Sequence, residues 1–447
     1  MAGAPGGLKR ILPLRTAVST SAGLASAAVN FLAAVEVAQL AAGRWAWVAI
    51  AVAGLLIVGA ASNFAELSGM YPTSAAIRVW MGRALGDQVA RVGSLVYAST
   101  VLLVMGADAF VLAKAFSQAV PGIPGMAVVA VLLGVISAAN LRGIRIAGWI
   151  QDLNALALLA TLVVFSALVL WHHPLAAPAA AAGPATGGFW QAVAVGVFIY
   201  VGFEWVTPLA EEFRDARAIP RGMLIALGVV ALAFALFTAA IEALSPGAGA
   251  LGQSLAPQLW VGREAMGGVG YWWMMAMTLT TAGTTFNGGL ATASRFVYAL
   301  ARERTLPRSW ARLNQHLVPG RALIGLTVLA LAIAVVVVAT ARYQFLVNTG
   351  AAVESFMYAV SALLVIRLRR KEATRLRPYR AWGGTWAIAG FGVVYLFLGF
   401  GALTTGPSAV PWPLVVMGGL IGAALGYVRW GVPHLGAVRE RTWGEPS

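Results

Sequence analysis

Twelve unbroken apolar stretches, each close to the length of a bilayer-crossing helix, run through this chain at approximately 17–40, 45–64, 92–119, 123–140, 150–171, 189–213, 220–244, 270–298, 322–341, 344–367, 382–405 and 411–430. A spanning helix needs roughly 20 apolar residues. Inside the hydrocarbon every backbone N–H and C=O must be paired within the protein, so helices and closed barrels are the available solutions. Continuous runs, rather than alternating ten-residue segments, disfavour the barrel. Composition agrees: 60% of the 447 residues are hydrophobic and 11% charged, against about 25% charged in soluble domains. A large water-soluble globule is excluded, and the expected fold class is an all-α membrane protein with 12 transmembrane helices.

The basic residues lie almost entirely between the stretches. In a soluble protein 31 Lys and Arg against 16 Asp and Glu would suggest a nucleic-acid partner; here their placement gives another origin, and no nucleic acid is expected. With the N-terminus inside, 27 of the 31 fall in inside segments, while Arg44, Arg263 and Arg342 fall outside and Lys114 sits in the outer part of the third stretch. Such asymmetry follows the positive-inside rule. It predicts an integral, multi-pass plasma or inner membrane protein with both termini cytoplasmic. The chain has no cysteine, which excludes disulfides, cysteine-ligated metal and a thiol nucleophile. The first apolar run is too long for a signal core and lacks an obvious cleavage site.

Loops are short, with no appended soluble domain expected. The stretch His172 to Gly188 is of low complexity and reads as a flexible outer loop; with no carboxylate nearby, His172 and His173 read as a solvated pair, not a metal site. The Gly-rich segment Ser245 to Gly268 is long enough for a partly ordered outer lid. Ser74 to Asp87 is amphipathic, with Arg78 and Arg83 on its polar side, and suits a short helix at the cytoplasmic interface.

Four segments together resemble the amino acid–polyamine–organocation (APC) superfamily of secondary transporters. They are AELSGMYPTSAA (Ala65 to Ala76), NLRGIRIAGWIQ (Asn140 to Gln151), FIYVGFEWVTPLAEEFRDARAIPRG (Phe198 to Gly222) and FNGGLATASRFVYALARERTLP (Phe286 to Pro307). The resemblance implies a five-plus-five inverted repeat with broken helices 1 and 6. It divides the chain into a cytoplasmic N-terminus (1–16), a ten-helix transport core (17–380), peripheral helices 11 and 12 (381–430) and a cytoplasmic tail (431–447). At the breaks, unpaired backbone groups face a cavity and bind charged parts of a substrate, while one bundle rocks against the other around a midplane site.

Aligned on the family's first break, usually G-x-G-I-F, this chain has Ser26, Ala27, Ala28, Val29 and Asn30. Both glycines are replaced by small residues poorer at strained backbone geometry. The stretch is either a modified break lining the substrate site or an ordinary helix packed through small residues. In the sixth span Gly202, among Phe198, Tyr200 and Phe203, marks the second break, and the resemblance makes Phe198 an aromatic lid. Glu204 is expensive at mid-membrane unless it faces a cavity or partner; it either couples binding to closure or caps the broken helix. Asp108 in the third span and Glu354 in the tenth are further acids. The six-residue spacing from Asp108 to Lys114 is not a facing one, so Asp108 faces the cavity or pairs elsewhere. Glu36 reads as wet. With Lys114 the one basic residue well inside a span, the buried field is negative and favours a cation. Thr284 and Thr285 match the hydroxyls of the sodium site in sodium-coupled relatives, or simply bond their own helix carbonyls. The coupling ion is therefore a proton or sodium.

The expected function is a permease for an organic amine or a cationic amino acid, with a neutral amino acid permease or exchanger as the alternative. No catalytic residue, cofactor or metal is expected, and the protein is a monomer or homodimer. A membrane enzyme would need a catalytic cluster, whereas His172, His173, His316 and His434 all fall in loops. A non-transporting sensor would bring a soluble extension, and an ATP-driven pump a GxxxxGK[ST] loop; neither feature is seen.

Overall fold

A computed structural model describes residues 7–41, 45–175, 186–244, 256–404 and 411–435. In the first half, α1 (Leu14–Leu24), α2 (Val29–Leu40), α3 (Ala46–Met70), a short α4 (Ile77–Leu85), α5 (Asp87–Ala119), α6 (Gly125–Leu141) and α7 (Ile144–His172) come in that order. The second half runs through α8 (Thr186–Ile199), a 3-10 helix (Phe203–Glu212), α9 (Ala218–Ala243), α10 (Pro257–Arg302), α11 (Gly320–Thr340) and α12 (Gln344–Lys371). Helices α13 (Thr385–Thr404) and α14 (Trp412–Gly426) complete it.

Every apolar stretch falls on helix, but the span count is less complete than expected. Among the described residues nine helices are long and apolar enough to cross a membrane, or ten when α1 and α2 count as one span bent by 59°; α6, at 17 residues, is shorter. Large apolar side chains such as Val131, Leu156, Val328 and Phe397 are exposed around the outside, as a lipid-facing surface requires.

The interruptions sit at the first element of each five-span half. Between α1 and α2 the chain leaves the helix at residues 25–28, where the Ala25 N–H closes onto Ser21 O at 3.0 Å. After α8 it turns at Gly202, whose φ of 106° is left-handed, and continues as a 3-10 helix containing Pro208, a residue with no N–H for an α-helical bond. Two broken leading helices, α3 packed on α9, and α5 packed on α10, α11 and α12 give the five-plus-five repeat.

The Ser74–Asp87 segment differs from expectation. Helix α4 does form, but Ile77, Arg78, Val79, Trp80 and Met81 are all buried, and Arg78 pairs with Asp87. The first turns of this stretch, Arg78 included, are therefore packed within the protein, whereas its end at Gly86 and Asp87 is exposed. Of the two outer loops, 176–185 and 245–255 lie outside the described residues. Beyond the second the chain is helical, with a kink at Met266 and Gly267 inside α10.

Candidate substrate site

The two breaks meet. A Cβ on Gly202 would stand 2.8 Å from Leu24 O, so the second break presses on the end of α1 closely enough that only glycine fits. Asn30 ties the two together: its Nδ2 donates to Ala25 O at 2.9 Å and Ile199 O at 2.8 Å, satisfying one orphan carbonyl at the end of each half-helix. Expected as a substrate ligand, Asn30 is held as a cross-link between the broken helices.

Helix α2 begins in mid-protein, and its first N–H groups are also satisfied. Ala28 N–H donates to Asp108 Oδ2 at 2.9 Å and Val29 N–H to Asp108 Oδ1 at 3.0 Å. Asp108 is fully buried, and its carboxylate sits at the positive end of the α2 dipole. The Thr285 hydroxyl stands beside it. Lys114 is not its partner, lying instead over the Phe110 ring at 5.5 Å.

A second acidic group forms where α5, the 3-10 helix and α12 converge. Glu204 and Glu354 are fully buried neighbours. Tyr358 Oη donates to Glu204 Oε2 at 2.9 Å and Tyr97 Oη to Oε1 at 3.4 Å. Trp205 Nε1 donates to Glu354 Oε1 at 2.9 Å, Glu204 and Thr100 also lie beside the Glu354 carboxyl, and among the described residues no donor reaches its Oε2. Tyr97 stacks on Trp205 with ring centroids 4.4 Å apart, and Phe203 lies 5.7 Å from Tyr358. None of Asp108, Glu204 and Glu354 belongs to an ion pair among the described residues. Two adjacent carboxyls in an apolar, aromatic setting cannot both hold a full negative charge cheaply, so they suit a bound cation or a shared proton.

The remaining expected residues divide. Ser26, Ala27 and Ala28 are buried in the first break, and Ser26 Oγ has no partner. Phe198 is half-buried. Tyr200 turns away, its hydroxyl donating to Ile50 O of α3 at 2.8 Å. Thr284 Oγ1 lies 2.7 Å from Thr281 O and 3.4 Å from Gly23 O, so it bonds its own helix and reaches α1, while the Thr285 hydroxyl turns to Asp108. Glu36 is exposed, as expected.

Arg295 departs from the expectation that Lys114 is the one deep base. Its side chain has 0% exposure and donates from Nε to Glu212 Oε2 at 3.1 Å. Much of the distinctive sequence serves this basic side of the bundle. Glu66 takes Arg369, Arg377 and the Ala381 N–H; Glu211 takes Arg302 at 2.8 Å; Asn140 donates to Asn287, which donates to Gln151, each at 2.8 Å. The motifs thus converge on structural ties more than on the site.

Tyr97, Thr100, Trp205 and Tyr358 are the site residues that sequence reasoning missed. Their signal is helical spacing: Tyr358 is four residues from Glu354, and Tyr97, Thr100 and Asp108 share a face at i, i+3 and i+11. Among the described residues no three His, Cys, Asp or Glu side chains gather as a metal-holding group.

Residues 14–425 match the family profile described as amino acid permease. An uncharacterized transporter of Mycobacterium tuberculosis is 31% identical over 347 residues, covering 73% of this chain and 74% of that protein. A gamma-aminobutyric acid permease of Bacillus subtilis is 25% identical, covering 74% of this chain and 73% of its own length. Among solved structures, a manganese transporter of Eremococcus coleocola shares the fold with a TM-score of 0.63 at 14% identity, over 96% of this chain and 98% of that one.

Proposed function

The chain belongs to the amino acid permease family and is a multi-pass membrane transporter, and from that premise we propose that it carries an organic amine or a cationic amino acid by alternating access. The observation that carries this reading is the Glu204–Glu354 pair: two buried acids among aromatic rings that, among the described residues, have no basic partner and leave one oxygen that no donor reaches. Carboxylates supply the charge, and Tyr97, Trp205, Phe203 and Tyr358 supply π faces that favour alkylammonium groups. The breaks at 25–28 and Gly202 supply the hinge, since both half-helix ends can move without unravelling a continuous helix. The coupling ion is a proton at the acid pair or a sodium ion at the hydroxyls of Thr284 and Thr285, the first of which reaches Gly23 O. A zwitterion is the second reading, supported by the likeness to a gamma-aminobutyric acid permease.

Counterflow into proteoliposomes tests the cation reading. At least one cation of the pair cadaverine and lysine should compete for uptake, and Glu354→Gln should weaken that competition by roughly 2 kcal/mol or more, the scale of losing one member of a buried charge pair. Competition by neutral amino acids alone, unchanged by Glu354→Gln, would sink it.

The proposed orientation places both termini in the cytoplasm. Single cysteines added to this cysteine-free chain should label from outside at Ala182 and stay unlabelled at Ala373. The reverse pattern would invert the topology.

A further inference from the structure

A helix that starts in mid-membrane offers free N–H groups and the positive end of its dipole, the place in a transporter where the anionic part of a substrate would dock. At the start of α2 that seat is filled from within. The two oxygens of Asp108 take the N–H groups of Ala28 and Val29, one each, at 2.9 and 3.0 Å. Nearby N–H groups are also committed: Ala25 to Ser21 O, Ser26 to Gly23 O, Asn30 to Ala27 O and Phe31 to Ala28 O. We infer that Asp108 is this protein's built-in replacement for a substrate carboxylate, confining the site to cations that carry none: amines, rather than the amino acids from which they are formed by decarboxylation.

This inference rests on the cation reading and narrows it. Asp108 belongs to α5, which is continuous over 33 residues, so its carboxylate is tethered at the seat and competes with any free carboxylate at high effective concentration. An amino acid entering the same break would bring its carboxylate against Asp108 with no base nearby to offset the repulsion. The vacant partners have the opposite character. Glu354 Oε2 at the acid pair and Ser26 Oγ in the first break are each buried and take no hydrogen-bond partner among the described residues, so each is an acceptor open to an ammonium group. Asp108 and Thr100 lie eight residues apart on α5, about 12 Å along the axis. The filled anion seat and the acid pair therefore occupy different levels of one helix face.

The test uses matched pairs on the purified full chain: cadaverine against lysine, agmatine against arginine, and tyramine against tyrosine. Thermal shift gives apparent affinity, and counterflow gives transport. In the wild type each amine should bind about a hundredfold tighter than its parent amino acid, the scale of one close like-charge contact in a protein. Asp108→Ala opens the seat, so preference should move toward the amino acids, and added formate should restore amine binding by refilling it. If parent amino acids match or exceed their amines in the wild type, Asp108 is no substitute carboxylate, although the transport reading stands. The inference fails equally if a folded Asp108→Ala protein keeps the wild-type preference, since a purely structural cap would behave that way. If neither class shifts melting or exchanges, the cation reading fails and takes this inference with it. Should the variant not fold, the wild-type pairs still decide.

Discussion

Replacing either partner of the Arg295–Glu212 pair alone should destabilise the detergent-solubilised protein by about 3–5 kcal/mol, and replacing both with apolar residues should recover most of that loss. Both side chains are at most 1% exposed. Arg295→Met leaves a carboxylate buried with no counter-charge, and Glu212→Leu leaves a guanidinium in the same condition. The double variant removes both charges and fills the volume with carbon, which is often neutral or stabilising at a buried pair. Position adds a functional consequence. Glu212 ends the 3-10 helix beyond the second break, and its carbonyl also receives the Ile11 and Leu12 N–H groups at 2.9 Å each. Arg295 thereby anchors α10 to the broken helix and to the N-terminal segment at once. The stable double variant should still lose much of its transport rate, because a permanently apolar contact cannot be exchanged for water as the bundle rocks. Thermal melting of the four proteins reads the first expectation. Strict additivity of the two single losses would show that charge pairing is not what holds this junction.

The hydropathy pattern made the helices legible because a bilayer imposes one rule on every residue in turn: lipid-facing positions must be apolar whatever their neighbours. The second break was legible as a local feature, Gly202 among aromatics, whereas the small residues at 26–28 fit an ordinary helix as well as a break and pointed to a break only through the family resemblance. Partners across helices were not. The sequence announces Asp108, Glu204 and Glu354 as costly residues, but which groups meet them depends on packing between spans distant in the chain. Asp108 lies 80 residues from Ala28, and Trp205 lies 149 from Glu354. Misreadings share that cause. Arg78 and Arg83 look like the polar face of an interfacial helix, yet tertiary packing buries Arg78 against Thr305, 227 residues on, to whose hydroxyl its Nε donates at 3.4 Å. Arg295, near the end of a stretch, reads as a loop base until Glu212 is found opposite.

The motif residues sharpen this point. Glu66, Glu211, Glu212, Asn140, Arg295 and Arg302 are what make the chain resemble its family, and all take part in ties between elements. The residues proposed to set the chemistry of the site only partly overlap with them: Glu204 lies in the third matching segment, whereas Asp108 and Glu354 lie outside all four. On the proposed reading, family membership follows from the scaffold, whereas substrate choice follows in part from Asp108 and Glu354, which the resemblance does not specify. An amine carrier can therefore belong to a family described by its amino acid permeases without any change of fold.

Gly202→Ala should abolish measurable transport while the protein still inserts in the membrane. Two costs add at this position. A left-handed φ of 106° is strained for any residue with a Cβ, by about 1–2 kcal/mol, and the new atom would stand 2.8 Å from Leu24 O, an overpacking cost of about 1–3 kcal/mol. The obstacle is backbone, so no neighbouring side chain can rotate to make room. Relief requires α1 and α8 to separate, which stretches the two Asn30 bonds to Ala25 O and Ile199 O that close the breaks together. Loss of register there displaces the start of α2 and the turn into Glu204 at the same time, the two places proposed to handle charge. Gly228→Ala in α9 is the matched control, because its added methyl meets nothing within 4 Å and should leave uptake intact. Normal uptake by Gly202→Ala, alongside an unaffected control, would mean that the contact between the two breaks is incidental and that the hinge lies elsewhere in the bundle.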